Sequence, residues 1–334
     1  MLGSAAYSIV TSLKKGGRKS LYLLDHTARF LSMKRTLVIG NGFDLDAGLK
    51  TSYGDFVRSS YWPFNHSSEV YGHDTLASYL RKKSQLNTWF DVETALYDYA
   101  KEGLGMTTVN GFNIGNQDKA DFENLKSSLT AYLQNQEVIF QKVNRSVAIG
   151  VLYALLKCRD NFKIYTYNYT NLKNIAARFS ITEKFAYEYM HGSTFGNDII
   201  LGIGDKDDIN SHYFYFKKIA ASNFASHSII PDMIDSDEVI VFGHSLSSND
   251  HPYFAPYIHY LLDYTNTRKS RRTLTIFTRN ENDRLEIKKQ IETLTENRVT
   301  LFYSLNQINI FCTDGSMTNN VETYLKSINK DWGL

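Results

Sequence analysis

Along this chain, short apolar runs rich in β-branched residues alternate with stretches in which apolar residues recur every three or four positions. The first pattern marks buried strands and the second amphipathic helices. Residues 36–39 predict a first strand that breaks at Gly40-Asn41-Gly42. Helical spacing follows at 53–61, 74–83, 89–97, 122–140 and 147–157, with the glycine- and asparagine-rich stretch 103–117 read as a loop. In the helix at 89–97 and just beyond, Val92, Leu96 and Tyr99 share an apolar face, which leaves Asp91 and Glu93 as capping or solvated residues. The next strand is predicted at 162–166, so more than a hundred residues separate the first two strands.

From there the alternation is regular. A helix at 171–179 precedes strands at 187–190, 199–202, 238–242, 274–278 and 299–303, with helices at 251–262 and 283–294 among the last three. Short apolar strands joined by helices imply an α/β fold, a mostly parallel sheet covered on both faces, with a mainly helical insertion over 57–160 between its first two strands. In such a sheet a ligand lies beyond the carboxyl ends of the strands. Those ends read Gly40-Asn41-Gly42-Phe43-Asp44, then Tyr167-Asn168-Tyr169-Thr170-Asn171, His191-Gly192-Ser193, Gly202-Ile203-Gly204-Asp205, and Gly243-His244-Ser245-Leu246-Ser247-Ser248-Asn249-Asp250. Small and polar chemistry at five strand ends points to a ligand. The turn at Gly40 and Gly42 fits either a phosphate-binding loop or a structural strand-to-helix corner, because the third glycine of a full dinucleotide fingerprint is absent.

Composition narrows the classes. The chain has 334 residues, 43% of them hydrophobic, enough for a sizeable core. Lys and Arg total 37 against 35 Asp and Glu, a net charge of +2, so nothing recommends a polyanion partner and nucleic acid is not expected. Cys158 and Cys312, the two cysteines, cannot build a disulfide framework or a four-cysteine zinc module, and they suit a reducing, cytoplasmic setting. No apolar run reaches the roughly 18 residues of a membrane span. Residues 1–32 carry five cations against Asp25, and Met33 stands directly before the first strand. That break suggests translation from Met33, with 33–334 as the α/β domain; a basic amphipathic arm is the competing reading of 1–32.

The segments Gly40-Asn41-Gly42-Phe43-Asp44-Leu45, Gly48-Leu49-Lys50-Thr51-Ser52-Tyr53, Trp89 to Glu93, Tyr167-Asn168-Tyr169-Thr170 and Phe242-Gly243-His244-Ser245-Leu246 with Asp250 resemble the AbiH family of bacteriophage abortive-infection proteins. The order of motifs is also similar, more remotely, to Rossmann-like, sirtuin-like NAD-binding domains. That resemblance implies NAD as substrate and an NAD glycohydrolase activity. Asn168 and His191 become the catalytic pair. Gly40, Asn41, Gly42, Phe43, Asp44, Thr51, Gly243, His244, Ser245 and Asp250 become the cofactor-binding residues, with no metal. Thr170 stands where sirtuin-like proteins commonly have Asp, a role for which Asp44 is the substitute. The implied partners are NAD or a related nucleotide, a phage-derived trigger or partner protein and a second copy in a homo-oligomer, but no membrane.

The chemistry suits these residue types. Cleaving the nicotinamide–ribose bond develops positive charge on the sugar, and nicotinamide leaves readily, so the protein must mainly orient the ribose and admit one water. An Asn can donate to one oxygen and accept from another. A His can take a proton from a ribose hydroxyl or from water; His191 and His244 both qualify, and either can instead be a buried structural histidine. Ser245 lacks the surroundings of a nucleophile elbow. A nucleotide-binding sensor without turnover remains the alternative to an enzyme. A nuclease is disfavoured by the balanced charge and the lack of clustered carboxylates.

Overall fold

The computed structural model describes residues 33–65, 75–86, 90–103, 108–109, 112–158, 160–204, 208–225, 227–265 and 270–329. Residues 1–32, Trp89 and Asp205, on which some of the expectations above fall, lie outside them. The sheet contains β1 (Lys34–Ile39), β2 (Asn161–Thr166), β3 (Glu188–Tyr189), β4 (Glu238–Phe242), β5 (Thr273–Thr278) and β6 (Gln307–Cys312). All pairings are parallel and the order across the sheet is β3-β2-β1-β4-β5-β6, a Rossmann-like arrangement.

Residue alternation along the strands builds a core on each face. Leu37, Ile39, Ile240 and Phe242 pack with α1 (Asn41–Ala47), α6 (Val147–Lys157), α7 (Leu172–Arg178) and α12 (Thr318–Ile328) through Phe43, Leu152, Ile175 and Leu325. Val38, Val239 and Val241 point the other way, toward α8 (Ile229–Asp235), α9 (His251–Leu262), α10 (Glu281–Leu294) and α11 (Val299–Leu305) through Met233, Ile258, Ile287 and Phe302.

Between β1 and β2 the chain also forms α2 (Tyr53–Val57), α3 (Leu76–Leu86), α4 (Val92–Glu102) and α5 (Ile114–Ile139). They share a separate core in which Phe56, Trp62, Leu80, Leu96, Tyr99 and Leu129 meet Ile199, Leu201, Ile203, Tyr213 and Phe216. Buried Asp118 ties it together: it accepts from the Leu76 backbone N–H at 2.8 Å and from the Tyr99 and Tyr213 hydroxyls at 2.9 and 3.3 Å.

The structure corrects the sequence reading in three places. Residues 199–202 form no sheet strand; they join the helical core, with one isolated bridge from Ile203 to Lys217. Residues 299–303 are helical, in α11, and the last strand is instead Gln307–Cys312, whose Ile308, Ile310 and Cys312 alternate with period two and whose residues pair in register with Thr273–Thr278. The local β-propensity of Val299 and Thr300 yields to that pairing. The stretch 103–117, expected as a loop, includes the two-residue strands Thr108–Val109 and Phe112–Asn113 and the start of α5. Among the described residues, no helix is long and apolar enough to cross a membrane.

Candidate functional site at the sheet's switch point

Strand order reverses between β1 and β4, where α/β folds open their ligand crevice. The loops leaving these two strands are interlocked. The Gly40 N–H donates to Phe242 O and the Gly42 N–H to Gly243 O, both at 2.9 Å. A Cβ on Gly40 would stand 2.6 Å from His244 Cα, and one on Gly42 would stand 2.6 Å from Gly243 Cα. Glycine is therefore required here by the approach of one backbone to another, and the Gly42 N–H is engaged by protein. Gly243 itself lies in the left-handed region at φ 63°. Phe43 is fully buried, edge to face with Phe242 at 5.6 Å, so only its backbone borders the loop.

Asp44 points inward from α1. Asn168 Nδ2 donates to Asp44 Oδ1 at 2.7 Å and to Gly40 O at 3.1 Å, while the Thr170 hydroxyl donates to Asp44 Oδ2 at 2.6 Å. Burial pushes the Asp44 carboxyl up to about 7, against the effect of those two side-chain hydrogen bonds. Asn168 thus spends both N–H donors on the turn, while no hydrogen bond among the described residues engages its Oδ1. Asn41 and Ser245 are exposed, and Thr51 donates to Asn41 Oδ1 at 2.5 Å.

Thr166 and Tyr189 are register partners on β2 and β3, and Asn168 and His191 each follow that pair by two residues, at the ends of neighbouring strands. His191 is 5% exposed and its ring stands edge-on to Tyr167 at 5.2 Å. Burial drives its imidazole well below the usual histidine range, helped by the Lys218 ammonium, so it is neutral at pH 7. No hydrogen bond among the described residues engages either of its ring nitrogens.

His244 is bound differently. Its Nδ1 accepts from the Leu246 N–H at 3.0 Å, which leaves the proton on Nε2, 3.3 Å from Asp250 Oδ2. Leu246 holds this turn in the left-handed region at φ 53°. Burial works to raise the Asp250 carboxyl, but the hydrogen bond from His244 and the Lys218 ammonium outweigh it and keep the group ionised. Asp250 Oδ1 is buried without a partner, as is the Tyr167 hydroxyl, whose ring lies 4.4 Å from that of His244. Buried polar atoms are rarely left unsatisfied, so such orphans ask for an explanation.

Two residues that the sequence did not assign to the site complete it. Glu93, read above as a capping or solvated residue, turns inward from α4 and meets Lys218 Nζ at 3.2 Å. Lys218 is 7% exposed and carries no periodic signal in the sequence. Asp91, its companion in that reading, does cap α4, accepting from the Thr94 N–H at 2.8 Å. A groove of about 630 Å³ lined by Glu137, Asn171, Arg178, Thr194 and Phe195 lies to one side and does not include Asn168 or His191. Among the described residues no three His, Cys, Asp or Glu side chains converge as a metal site.

The fold and site define an α/β protein with a ligand-type cluster at the switch point of a parallel sheet. A family model, bacteriophage abortive infection AbiH, matches residues 36–271, a span that holds the whole cluster. The chain belongs to the AbiH family, and abortive infection of phage is the role that membership gives it. No curated protein matches it.

Proposed function

We propose that this chain is an abortive-infection effector that cleaves NAD at the nicotinamide–ribose bond once a phage-derived component triggers it. The observation that carries the reading is the pair of buried polar atoms without a partner at the switch point, Asp250 Oδ1 and the Tyr167 hydroxyl, with the buried His191 ring edge-on to Tyr167; Asn168, the next residue along the chain, keeps its Oδ1 open. A ribose, with its hydroxyls and ring oxygen, is a partner of suitable chemistry. Asn168 Oδ1 and a neutral His191 nitrogen would each accept from a ribose hydroxyl. Charge supports the same reading. Ionised Asp250 offsets the Lys218 ammonium, and Glu93, whose carboxyl burial brings to about 7, adds a negative charge as it loses its proton, which favours the positive charge that develops on the sugar.

Extracts of phage-infected cells expressing the full chain, and purified protein supplied with extract of infected cells, should release nicotinamide from NAD, and His191→Ala or Asn168→Ala should slow release by about 10²-fold or more. No release from wild type in either setting refutes the cleavage reading.

A second reading, nucleotide binding without turnover, draws on Thr170, which stands where sirtuin-like proteins commonly have a carboxylate and donates its hydroxyl to Asp44 Oδ2 at 2.6 Å. Calorimetric binding of NAD with no nicotinamide formed in infected cells would favour it.

A further inference from the structure

The helical region between β1 and β2 delivers one group to the switch point that the sugar contacts leave unused. Glu93 stands in the first turn of α4, yet it faces inward. Its Oε2 accepts from Lys218 Nζ at 3.2 Å and from Asn249 Nδ2 at 3.4 Å, whereas no hydrogen bond among the described residues engages Oε1. The charged and titratable groups around the carboxylate are Lys218 from the segment 211–220, Asp250 from the loop after β4, Asp91 from its own helix, and Tyr53 and Tyr169 from α2 and the loop after β2. A buried ion pair is costly to desolvate and seldom stabilises a fold on balance. Here it fixes one oxygen of a carboxylate and leaves the other available, at the meeting point of three segments distant in sequence.

We propose that Glu93 takes the proton from the water that attacks the ribose, with Lys218 and Asn249 as its positioning residues; this rests on the reading that the site cleaves NAD. The water oxygen bonds to C1′ of the nicotinamide ribose as the C1′–N bond breaks. The bonding pair leaves with the nicotinamide nitrogen and neutralises the pyridinium, and the water proton passes to Glu93 and then to solvent. The products are nicotinamide and ADP-ribose. Glu93 is matched to the task, since burial, opposed by Lys218, brings its carboxyl to about 7, close to the operating pH. His191 is held neutral far below that range, which suits it to accept a hydrogen bond from a sugar hydroxyl rather than to carry the proton.

The test measures nicotinamide release from NAD by the full-length chain, with NAD affinity followed by calorimetry. Glu93→Gln should lower kcat by about 10²-fold or more while the Kd for NAD changes only a few-fold, and the acidic limb of the wild-type kcat profile, centred near pH 7, should vanish. Formate should restore part of the rate to Glu93→Ala, a rescue that a merely structural role would not give. Because Glu93→Gln removes one of the two carboxylates that face buried Lys218, the double variant Glu93→Gln/Lys218→Met serves as a second test and should be as slow as Glu93→Gln. A folded Glu93→Gln or double variant that keeps the wild-type rate and acidic limb overturns the role of Glu93 alone. A wild type that releases no nicotinamide, purified or in infected cells, overturns the cleavage reading and this step with it.

Discussion

Thr170 and Asp44, 126 positions apart, share a 2.6 Å hydrogen bond at the end of β2. The resemblance to sirtuin-like domains would put a carboxylate at position 170; in this chain the carboxylate reaches the same strand end from α1. The two positions should therefore behave as an exchangeable pair. Thr170→Asp alone sets two carboxylates together in a buried site and should cost about 1–3 kcal/mol at pH 8, less at pH 5. Adding Asp44→Thr should recover most of that loss. Urea unfolding of the single and double variants at both pH values checks it, and additive losses would show that the pair is not coupled.

The buried carboxyls set the sign of the pH dependence. Asp44 and Glu93 hold their protons up to about pH 7 in the folded protein, against usual values of 3.8 and 4.5. Between those limits the folded state binds more protons, so their contribution favours folding at low pH, declines as pH rises toward 7 and levels off above it. Each tenfold change in proton affinity between the folded and unfolded states is worth about 1.4 kcal/mol, so the combined effect is on the order of 5–10 kcal/mol. Asp250, held low, acts in the opposite sense, and its contribution is lost only in strong acid. Unfolding free energies measured from pH 4.5 to 8 should slope downward, and Asp44→Asn should flatten the slope.

Gly42 is constrained by its neighbour's backbone, so even a methyl group is too much. Gly42→Ala should destabilise the fold by about 1–3 kcal/mol, because the displaced atom is Gly243 Cα and not a flexible side-chain end. Thermal unfolding measures the loss. Unchanged stability would mean that the two loops part easily and that the switch point opens at little cost.

The two site histidines should separate stability from function. His244→Ala removes the acceptor of the Leu246 N–H and the partner of buried Asp250, and should cost about 3 kcal/mol or more. His191→Gln loses no hydrogen bond and should stay within ~1 kcal/mol of wild type while nicotinamide release collapses. Chemical denaturation alongside a release assay distinguishes them; full turnover in His191→Gln with loss in His244→Ala would move the sugar contact to His244.

The sequence by itself determined the fold class and the strand-end motifs. Runs such as 238–242 and 274–278 are apolar because both faces of a parallel strand are covered, and a local pattern records that directly. The same local reading recovered helices with clear periodicity, Val147–Lys157 and His251–Leu262 among them. It misread 199–202 and 299–303, where apolar residues serve a helical core or a helix rather than a sheet edge, because their partners lie elsewhere in the chain. Only the tertiary structure decided that Gly42 meets Gly243, that Asp44 binds Asn168 and Thr170, and that His191 and His244 differ in their free nitrogens. Lys218 and Glu93 lie 125 positions apart, and no periodicity in either segment announces that they will meet. Contacts between distant residues are fixed by packing of the whole chain, which a pattern spanning a dozen residues does not encode.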